Sequence, residues 1–193
     1  MSRKPTEHPS HPGGLRYRRV VVKLGTNLLT GGTDRLDLQI MASIVGQVAR
    51  VRDAGGQVII VSSGAVQAGR HRLATAGVSF GDVPERQVLA SVGMSHLMRS
   101  YDDLFSWHEI TVAQALLTRR DLADRTGYLN ARNTLLTLLD LDVVPIINEN
   151  DVVATDELEI GFGDNDHLSA QVANLIDADL LAILSDVRGL FTA

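Results

Sequence analysis

The chain has 193 residues, a formal net charge of −5 and an apolar fraction of 45%. This length and composition are sufficient for one large domain with a sizeable core, and the mild negative charge argues against a nucleic-acid partner. The absence of cysteine excludes disulfides and cysteine-ligated zinc, and it is consistent with a reducing compartment. No apolar run approaches the roughly 18 residues that a membrane span needs. The composition therefore predicts a globular protein with neither nucleic acid nor membrane as a partner.

The two ends of the chain differ from the rest in composition. Residues 1–14, MSRKPTEHPSHPGG, carry three prolines and no hydrophobic stretch. This composition is typical of a disordered tail and not of a signal peptide. The ending DVRGLFTA directly follows an apolar run, which is an unusual place for a doubly wound sheet to stop. We therefore expect a disordered tail over 1–14 and one domain over 15–193 that is incomplete at its C-terminus.

Five short apolar runs predict β-strands. They are rich in Val, Ile and Leu, and Gly25 ends the first of them. The runs are 17–24, 57–63, 110–117, 143–148 and 180–185. The second is almost entirely apolar, as expected for a strand covered on both faces, and the proline of the fourth favours its beginning.

Apolar residues at helical spacing separate these runs. The predicted helices have apolar stripes within 38–49, 84–108, 131–139 and 168–176, with Pro84 beginning the second and Asn130 capping the third. Residues 151–163 are predicted to form a hairpin or loop excursion. The alternation of strands and helices predicts an α/β fold with a mostly parallel sheet and helices on both faces.

Polar residues and glycines stand at the predicted carboxyl ends of the strands, where open α/β sheets bind ligands. The segments are KLGTN (23–27), SSGA (62–65), NEND (148–151) and SD (185–186), and GFGDNDHLSA (161–170) leads into the last helix. No Walker A, G-x-G-x-x-G, H-x-x-x-H or G-x-S-x-G pattern occurs in the chain. We expect these segments to meet at one rim.

Each segment also has a simpler interpretation. Lys23 could be a surface lysine, Asp151 a turn cap, and Ser63 part of a plain turn. The alternative for the Ser63 segment is an anion-binding loop with close backbone approach, extended by Gly69 and Arg70. In Asp164-Asn165-Asp166, one carboxylate is enough to cap the helix, so Asn165 and Asp166 need another reason.

Six motifs in order resemble the glutamate 5-kinases, which belong to the amino acid kinase superfamily. They are VVKLGTNLLT (21–30), VIIVSSGAVQAGR (58–70), LLTRRDLADRTGYLNARNT (116–134), VPIINENDVVAT (144–155), GDNDHLSA (163–170) and LSDVRGLFT (184–192). The resemblance implies a three-layer αβα sandwich with a mostly parallel open sheet. It also implies transfer of the γ-phosphoryl group of ATP to the side-chain carboxylate of L-glutamate, the first step of proline biosynthesis.

The resemblance assigns catalytic and nucleotide-binding roles. Lys23 matches the lysine that contacts the ATP phosphates, and Asp166 matches the aspartate that positions the catalytic lysines. The backbone amide at Gly25 is expected to serve the phosphates. Ser185 and Asp186 match the nucleotide-binding pair after the last strand, with serine in place of the usual threonine. ATP and Mg²⁺ are the implied cofactors, with Mg²⁺ carried by ATP and no metal site built from the protein.

The resemblance also assigns the amino-acid side of the site and its partners. Ser63, Asp151 and Asn165 match the glutamate-binding residues. The implied partners are L-glutamate, proline as a feedback inhibitor, for which 68–84 resembles the region involved, and further copies of the chain in a homo-oligomer. A cytoplasmic location is implied as well.

Three alternatives remain open from the sequence. The family's kinase domain continues beyond the equivalent of residue 193, with most of the adenine pocket and a second lysine, and many members add a PUA domain. The chain alone is therefore expected to be weakly active, or to act as an inactive amino-acid-binding or regulatory fragment. Another amino acid kinase, such as an acetylglutamate or aspartate kinase, is the second alternative, and a purely structural role is the third.

Overall fold

The computed structural model describes residues 15–74, 85–153 and 165–186. The predicted tail over 1–14, Pro84, Asp164 and most of the predicted excursion over 151–163 lie outside these residues.

The described residues contain one five-stranded sheet in which every pair of neighbouring strands is parallel. The strands are β1 (Arg19–Leu24), β2 (Gln57–Ser62), β3 (Val112–Leu117), β4 (Val144–Glu149) and β5 (Leu180–Leu184). Their order across the sheet is β3-β4-β2-β1-β5. Because all strands run the same way, their carboxyl ends meet at a single rim.

Seven helices accompany the sheet in the described part of the chain. They are α1 (Thr26–Thr30), α2 (Leu38–Asp53), α3 (Ala65–Ala74), α4 (Glu85–Ser106), α5 (Arg119–Ala123), α6 (Arg125–Asp140) and α7 (Asn165–Leu175). The four helices predicted from apolar spacing are α2, α4, α6 and α7. The short helices α1, α3 and α5 were not predicted, because none of them is long enough to show a full apolar stripe.

The core is divided between the two faces of the sheet, as alternation along the strands requires. On β2, Val58 and Ile60 pack with α2 and α4, whereas Ile59 and Val61 pack on the opposite face with α6 and α7. The predicted α/β fold, a three-layer sandwich with a mostly parallel sheet, is confirmed.

Pro145 lies at the second position of β4, as its predicted place at a strand beginning requires. It stands opposite Ala113 of β3, and the pairing of β4 with β2 runs from Ile146 to Ile147. The missing N–H of the proline therefore falls outside that ladder.

The start of α6 corrects one prediction. Asn130 is not the N-cap, because the helix begins at Arg125 and the Asp124 side chain accepts a hydrogen bond from the Gly127 amide at 2.9 Å. The preceding helix α5 has a reciprocal capping box between Thr118 and Asp121. These polar first turns carry few apolar residues, so an apolar stripe locates the helix too late.

The contact between α3 and α4 corrects a second prediction, the one made for Gly69. A Cβ built on Gly69 would lie 1.9 Å from the Leu89 carbonyl oxygen, and one on Gly93 would lie 1.7 Å from the Ala65 carbonyl oxygen. The two helices therefore touch through their backbones, which only glycine permits. The expectation that Gly69 extends an anion-binding loop is wrong, since its place is in a helix–helix contact.

Candidate active site

The carboxyl rim of the sheet contains an unusual group of buried polar side chains. Lys23 is the next-to-last residue of β1, and Ser62 is the last residue of β2. Asn148 lies near the end of β4, and Asn165 begins α7. Each of these four residues is at most 8% exposed. Buried polar groups require partners, so their contacts define the site.

Lys23 and Asp166 form an ion pair at the centre of this rim. The distance from Lys23 Nζ to Asp166 Oδ1 is 2.7 Å, and the lysine side chain is 5% exposed against 43% for the aspartate. Lys23 is flanked by Val61 of β2 and Ile183 of β5, so its strand is central. The interpretation of Lys23 as a surface lysine is therefore wrong. A buried ammonium group is held here by a carboxylate that also faces solvent.

Backbone turns follow β1 and β2 at the rim beside Lys23. Gly25 caps α1, and a Cβ at this position would lie 3.6 Å from Lys23 Nζ. Gly64 connects β2 to α3 with φ of 97°, a conformation that side chains other than glycine rarely adopt. The starts of α1 and α3 therefore follow β1 and β2 at the same rim as the lysine.

Asn165 connects the ends of two strands. Its Nδ2 group lies 2.7 Å from the Ser62 carbonyl oxygen, 3.1 Å from Ser63 Oγ and 3.0 Å from Asn148 Oδ1. Asn148 Oδ1 also accepts from the Glu149 amide at 2.8 Å. These contacts of Asn165 with Ser62, Ser63 and Asn148 are called the brace below. Because the amide nitrogen of Asn165 is engaged in the brace, its amide oxygen is the group left for a ligand. The side chain is thus more than a component of the helix start.

A buried tyrosine supports the brace from behind. Tyr101 OH and Ser62 Oγ are 2.8 Å apart, and the Ser62 hydroxyl also lies 3.0 Å from the Ser63 carbonyl oxygen. Burial raises the pKa of Tyr101 well above its ordinary 10.0, although the contact with Ser62 acts in the opposite direction. The phenol therefore stays neutral and serves as a fixed hydrogen-bonding group.

A cleft of about 240 Å³ opens in front of the brace. Ser63, Asn148, Asp151 and Asn165 line it, and Arg86 of α4 closes it from the side. The Arg86 Nη2 to Asp151 Oδ1 distance is 3.4 Å, with side-chain exposures of 50% and 9%. The cleft is smaller than the roughly 300–1,000 Å³ typical of sites for drug-sized ligands, so it suits a small polar molecule.

The rim continues toward β5 with a more open region. The Gly25 amide donates to the Leu184 carbonyl oxygen at 3.2 Å, and Asn27 Nδ2 donates to Asp186 Oδ2 at 3.0 Å. Ser185 and Asp186 are exposed. Asn27, Asp186 and neighbouring residues of α1 border a second cleft of about 480 Å³.

Within the three described ranges, no three His, Asp or Glu side chains are grouped so that they could hold a metal ion. None of the described helices has the length and apolar character needed to cross a membrane.

The sequence predicted most of these positions, and the resemblance also paired Asp166 with the catalytic lysine. Lys23 and Asp166 lie in contact, Ser63 and Asn165 lie in contact, and Asp151 lines the same cleft. Three contributors were not among the predicted site residues: Asn148, Tyr101 and Arg86. Asn148 stood in the strand-end motif, which could have identified it. Nothing local in the sequence marks the other two, since their partners are 39 and 65 residues away.

Comparison of the sequence with known proteins identifies a family. The sequence profile of the amino acid kinase family matches residues 18–193. A protein named glutamate 5-kinase from Dehalococcoides mccartyi is 60% identical over 181 residues, which are 93% of this chain and 48% of that protein. The proteins of the same name from Herpetosiphon aurantiacus and Nitrosospira multiformis are 54% and 52% identical, covering 92% and 91% of this chain and 47% and 46% of their own lengths.

The chain thus spans about half the length of the curated relatives it matches. The matched region includes both clefts and the whole described sheet. The chain belongs to the amino acid kinase family.

Proposed function

We propose that this chain carries the glutamate-binding side of a glutamate 5-kinase, which transfers the γ-phosphoryl group of ATP to the side-chain carboxylate of L-glutamate. The observation that carries the proposal is the buried ammonium group of Lys23, held 2.7 Å from Asp166 on the same rim as the polar cleft. The relatives named glutamate 5-kinase support the choice of substrate.

The proposed reaction brings two anions together. A carboxylate oxygen of glutamate attacks the γ-phosphorus, the bond from that phosphorus to the β,γ-bridging oxygen breaks, and ADP leaves with the bond's electron pair. The acceptor has an ordinary pKa of about 4.3 and is already ionised at neutral pH, so the step needs no general base. Catalysis then depends on positioning and on compensation of negative charge.

Lys23 supplies that compensation in the proposed mechanism. Its ammonium group would lie near the path of the phosphoryl group, at the rim where Gly25 and Gly64 follow β1 and β2. The Gly25 amide already donates to the Leu184 carbonyl oxygen, so it is not among the groups that would meet the phosphate. The substrate carboxylate has no proton for Asp166 to remove, so the role of Asp166 is to orient Lys23 and to balance its charge through the ion pair. Asp166 is therefore a positioning residue in this account.

The cleft supplies recognition of the amino acid. Asp151 is a nearly buried carboxylate that would take the ammonium group of glutamate, and the Asn165 amide oxygen and Ser63 hydroxyl would take its other polar groups. This selects an amino acid over a plain dicarboxylate, because a dicarboxylate leaves Asp151 facing a like charge.

The nucleotide side is proposed to use the more open part of the rim. Gly25, Ser185 and Asp186 border it, and Asn27 holds Asp186. Mg²⁺ bound with ATP would reduce the negative charge of the phosphates. Proline inhibition, a homo-oligomer and a cytoplasmic location stay predictions that rest on the resemblance.

A substrate panel tests the proposal. A chimera in which this chain replaces the matching half of the Dehalococcoides mccartyi protein is supplied with ATP and one of L-glutamate, N-acetylglutamate, L-aspartate, carbamate or UMP. We expect ADP release with L-glutamate to exceed release with each other acceptor by about tenfold or more, and the acyl phosphate to be captured by hydroxylamine. A preference for another acceptor would replace glutamate as the proposed substrate.

A second candidate function is amino-acid binding without efficient transfer, because the polar cleft around Asp151 and Asn165 would suit an amino acid whether or not transfer follows. Calorimetry of the 193-residue chain with glutamate, proline and ATP separates the two. Binding of glutamate or proline, together with no ADP release, supports the second candidate. Robust ADP release that requires both ATP and glutamate contradicts it.

A further inference from the structure

Arg86 stands at the entrance of the cleft and has no role in the function proposed so far. It lies in the first turn of α4, and its guanidinium group is 3.4 Å from the Asp151 carboxylate. The two side chains line the cleft together with Ser63, Asn148 and Asn165. The arginine is 50% exposed and the aspartate 9%, so the positive group faces the solvent side and the negative group the interior.

This pair is looser than a well-formed one. Charge-assisted N–H···O bonds in proteins are about 2.7–2.9 Å long, whereas this contact is 3.4 Å. A half-exposed arginine can change its side-chain conformation at little cost, and an exposed ion pair contributes little to stability. The loss of this one contact on ligand binding would therefore cost little free energy.

The pair is also the charge complement of an α-amino acid head group. Such a head group carries an ammonium and a carboxylate on the same carbon, so it can replace one protein ion pair with two. The buried Asp151 carboxylate matches the ammonium, and the planar, multi-donor guanidinium group of Arg86 matches the carboxylate. In this arrangement Arg86 and Asp151 each have an opposite partner, and the cleft also contains the Glu149 carboxylate.

We propose that Arg86 is a specificity-determining residue that binds the α-carboxylate of the amino-acid substrate while Asp151 binds its ammonium group. The proposal rests on the function proposed above, and it explains why a residue on α4 closes the cleft. A ligand without an α-carboxylate forms no ion pair with Arg86. A ligand without an ammonium group leaves Asp151 facing a like charge.

Two analogues of glutamate separate these contributions. 4-Aminobutyrate lacks the α-carboxylate, and glutarate lacks the ammonium group. Ligand-observed NMR measures the dissociation constants of L-glutamate and both analogues for the 193-residue chain and for three variants, Arg86→Gln, Arg86→Lys and Arg99→Gln. Arg99 lies on the exposed side of the same helix and is the matched control.

For the unaltered chain we expect L-glutamate to bind about tenfold or more tightly than 4-aminobutyrate. Arg86→Gln should weaken glutamate by about tenfold and leave 4-aminobutyrate unchanged or slightly tighter, so that the selectivity ratio approaches one. Arg86→Lys should keep part of the ratio, because the charge remains and the planar fork is lost. Arg99→Gln should match the unaltered chain.

A selectivity ratio in Arg86→Gln equal to that of the unaltered chain would overturn the proposal. So would an equal weakening of both ligands, including their complete loss, because that result assigns Arg86 to the structure of the cleft. If the unaltered chain binds no glutamate, the proposed function fails and the inference fails with it. If it binds glutamate and the ratio does not respond to Arg86→Gln, only the inference fails.

Discussion

The two halves of the rim are built in different ways. In the braced half, the Asn165 amide nitrogen joins the ends of β2 and β4, and the buried Tyr101 supports Ser62 from behind. In the open half beside β5, Ser185 and Asp186 are exposed, and so are the apolar side chains of Ile183 and Leu184, at 48% and 39%. The rim thus combines one half whose buried polar groups have a fixed geometry with another half whose described side chains are exposed.

The largest expected effect is a steric break beneath the braced half. Gly93→Ala places a methyl group where the Ala65 carbonyl oxygen stands 1.7 Å away, so α3 and α4 must separate. We expect the free energy of unfolding to fall by about 3 kcal/mol, as in severe overpacking. Urea denaturation measures this change.

Gly46→Ala on α2 is the matched control. Its nearest neighbour to the added carbon is an arginine side-chain atom at 3.9 Å, so the variant should be neutral or more stable by up to about 1 kcal/mol. Equal stabilities for Gly93→Ala and the unaltered chain would show that α3 and α4 do not depend on backbone contact.

The next effect concerns the link between the two halves. Asp166→Asn removes the charge that orients Lys23 but keeps an oxygen that the lysine can contact. We expect the rate of ADP release by the chimera to fall by roughly 10²-fold, with the free energy of unfolding changed by about 1 kcal/mol or less. Steady-state kinetics and urea denaturation measure both. An unchanged rate would reduce Asp166 to a residue of the helix start.

A third effect compares the halves directly. Asn165→Ala removes the side-chain donor to the Ser62 carbonyl oxygen and one of the two donors to Asn148 Oδ1, which costs about 1–3 kcal/mol. Asn27→Ala removes a contact to Asp186 that lies in solvent, and we expect a loss of at most about 0.5 kcal/mol. Thermal unfolding of both variants checks the difference. Equal losses would mean that the halves are equally braced.

The smallest effect lies on α4, away from both halves. Burial, followed by the charge of Arg72, lowers the pKa of His96 below its ordinary 6.5. A histidine with a lower pKa in the folded state favours folding when neutral. Its contribution is therefore complete above about pH 6.5 and is lost as the pH falls toward the folded-state pKa.

We accordingly expect His96→Gln to weaken the pH dependence of unfolding between about pH 5 and 7. Urea denaturation across this range gives the slope. If the variant and the unaltered chain lose stability equally on acidification, His96 does not account for the dependence.

The sequence predicted the parts of this account that depend on local pattern. Apolar runs located β1 and β2, and the polar residues at their ends placed Lys23 and Ser63 on one rim, because parallel strands end together. It could not predict contacts between distant segments, such as Tyr101 with Ser62 or Arg86 with Asp151. It also misassigned Gly69, since a glycine needed for helix contact looks the same in sequence as one needed for an anion.

The most direct test of the central claim is an NMR titration of the 193-residue chain with L-glutamate in the absence of ATP. We expect chemical-shift changes at the braced half, above all at the Asn165 side-chain amide and the backbone amides of Ser63 and Asn148. We also expect Asp151→Asn to weaken them by about tenfold or more. Changes confined to the opposite edge of the sheet, at the cleft formed by Arg18, Arg19 and Asp179, or no changes at all, would contradict the claim.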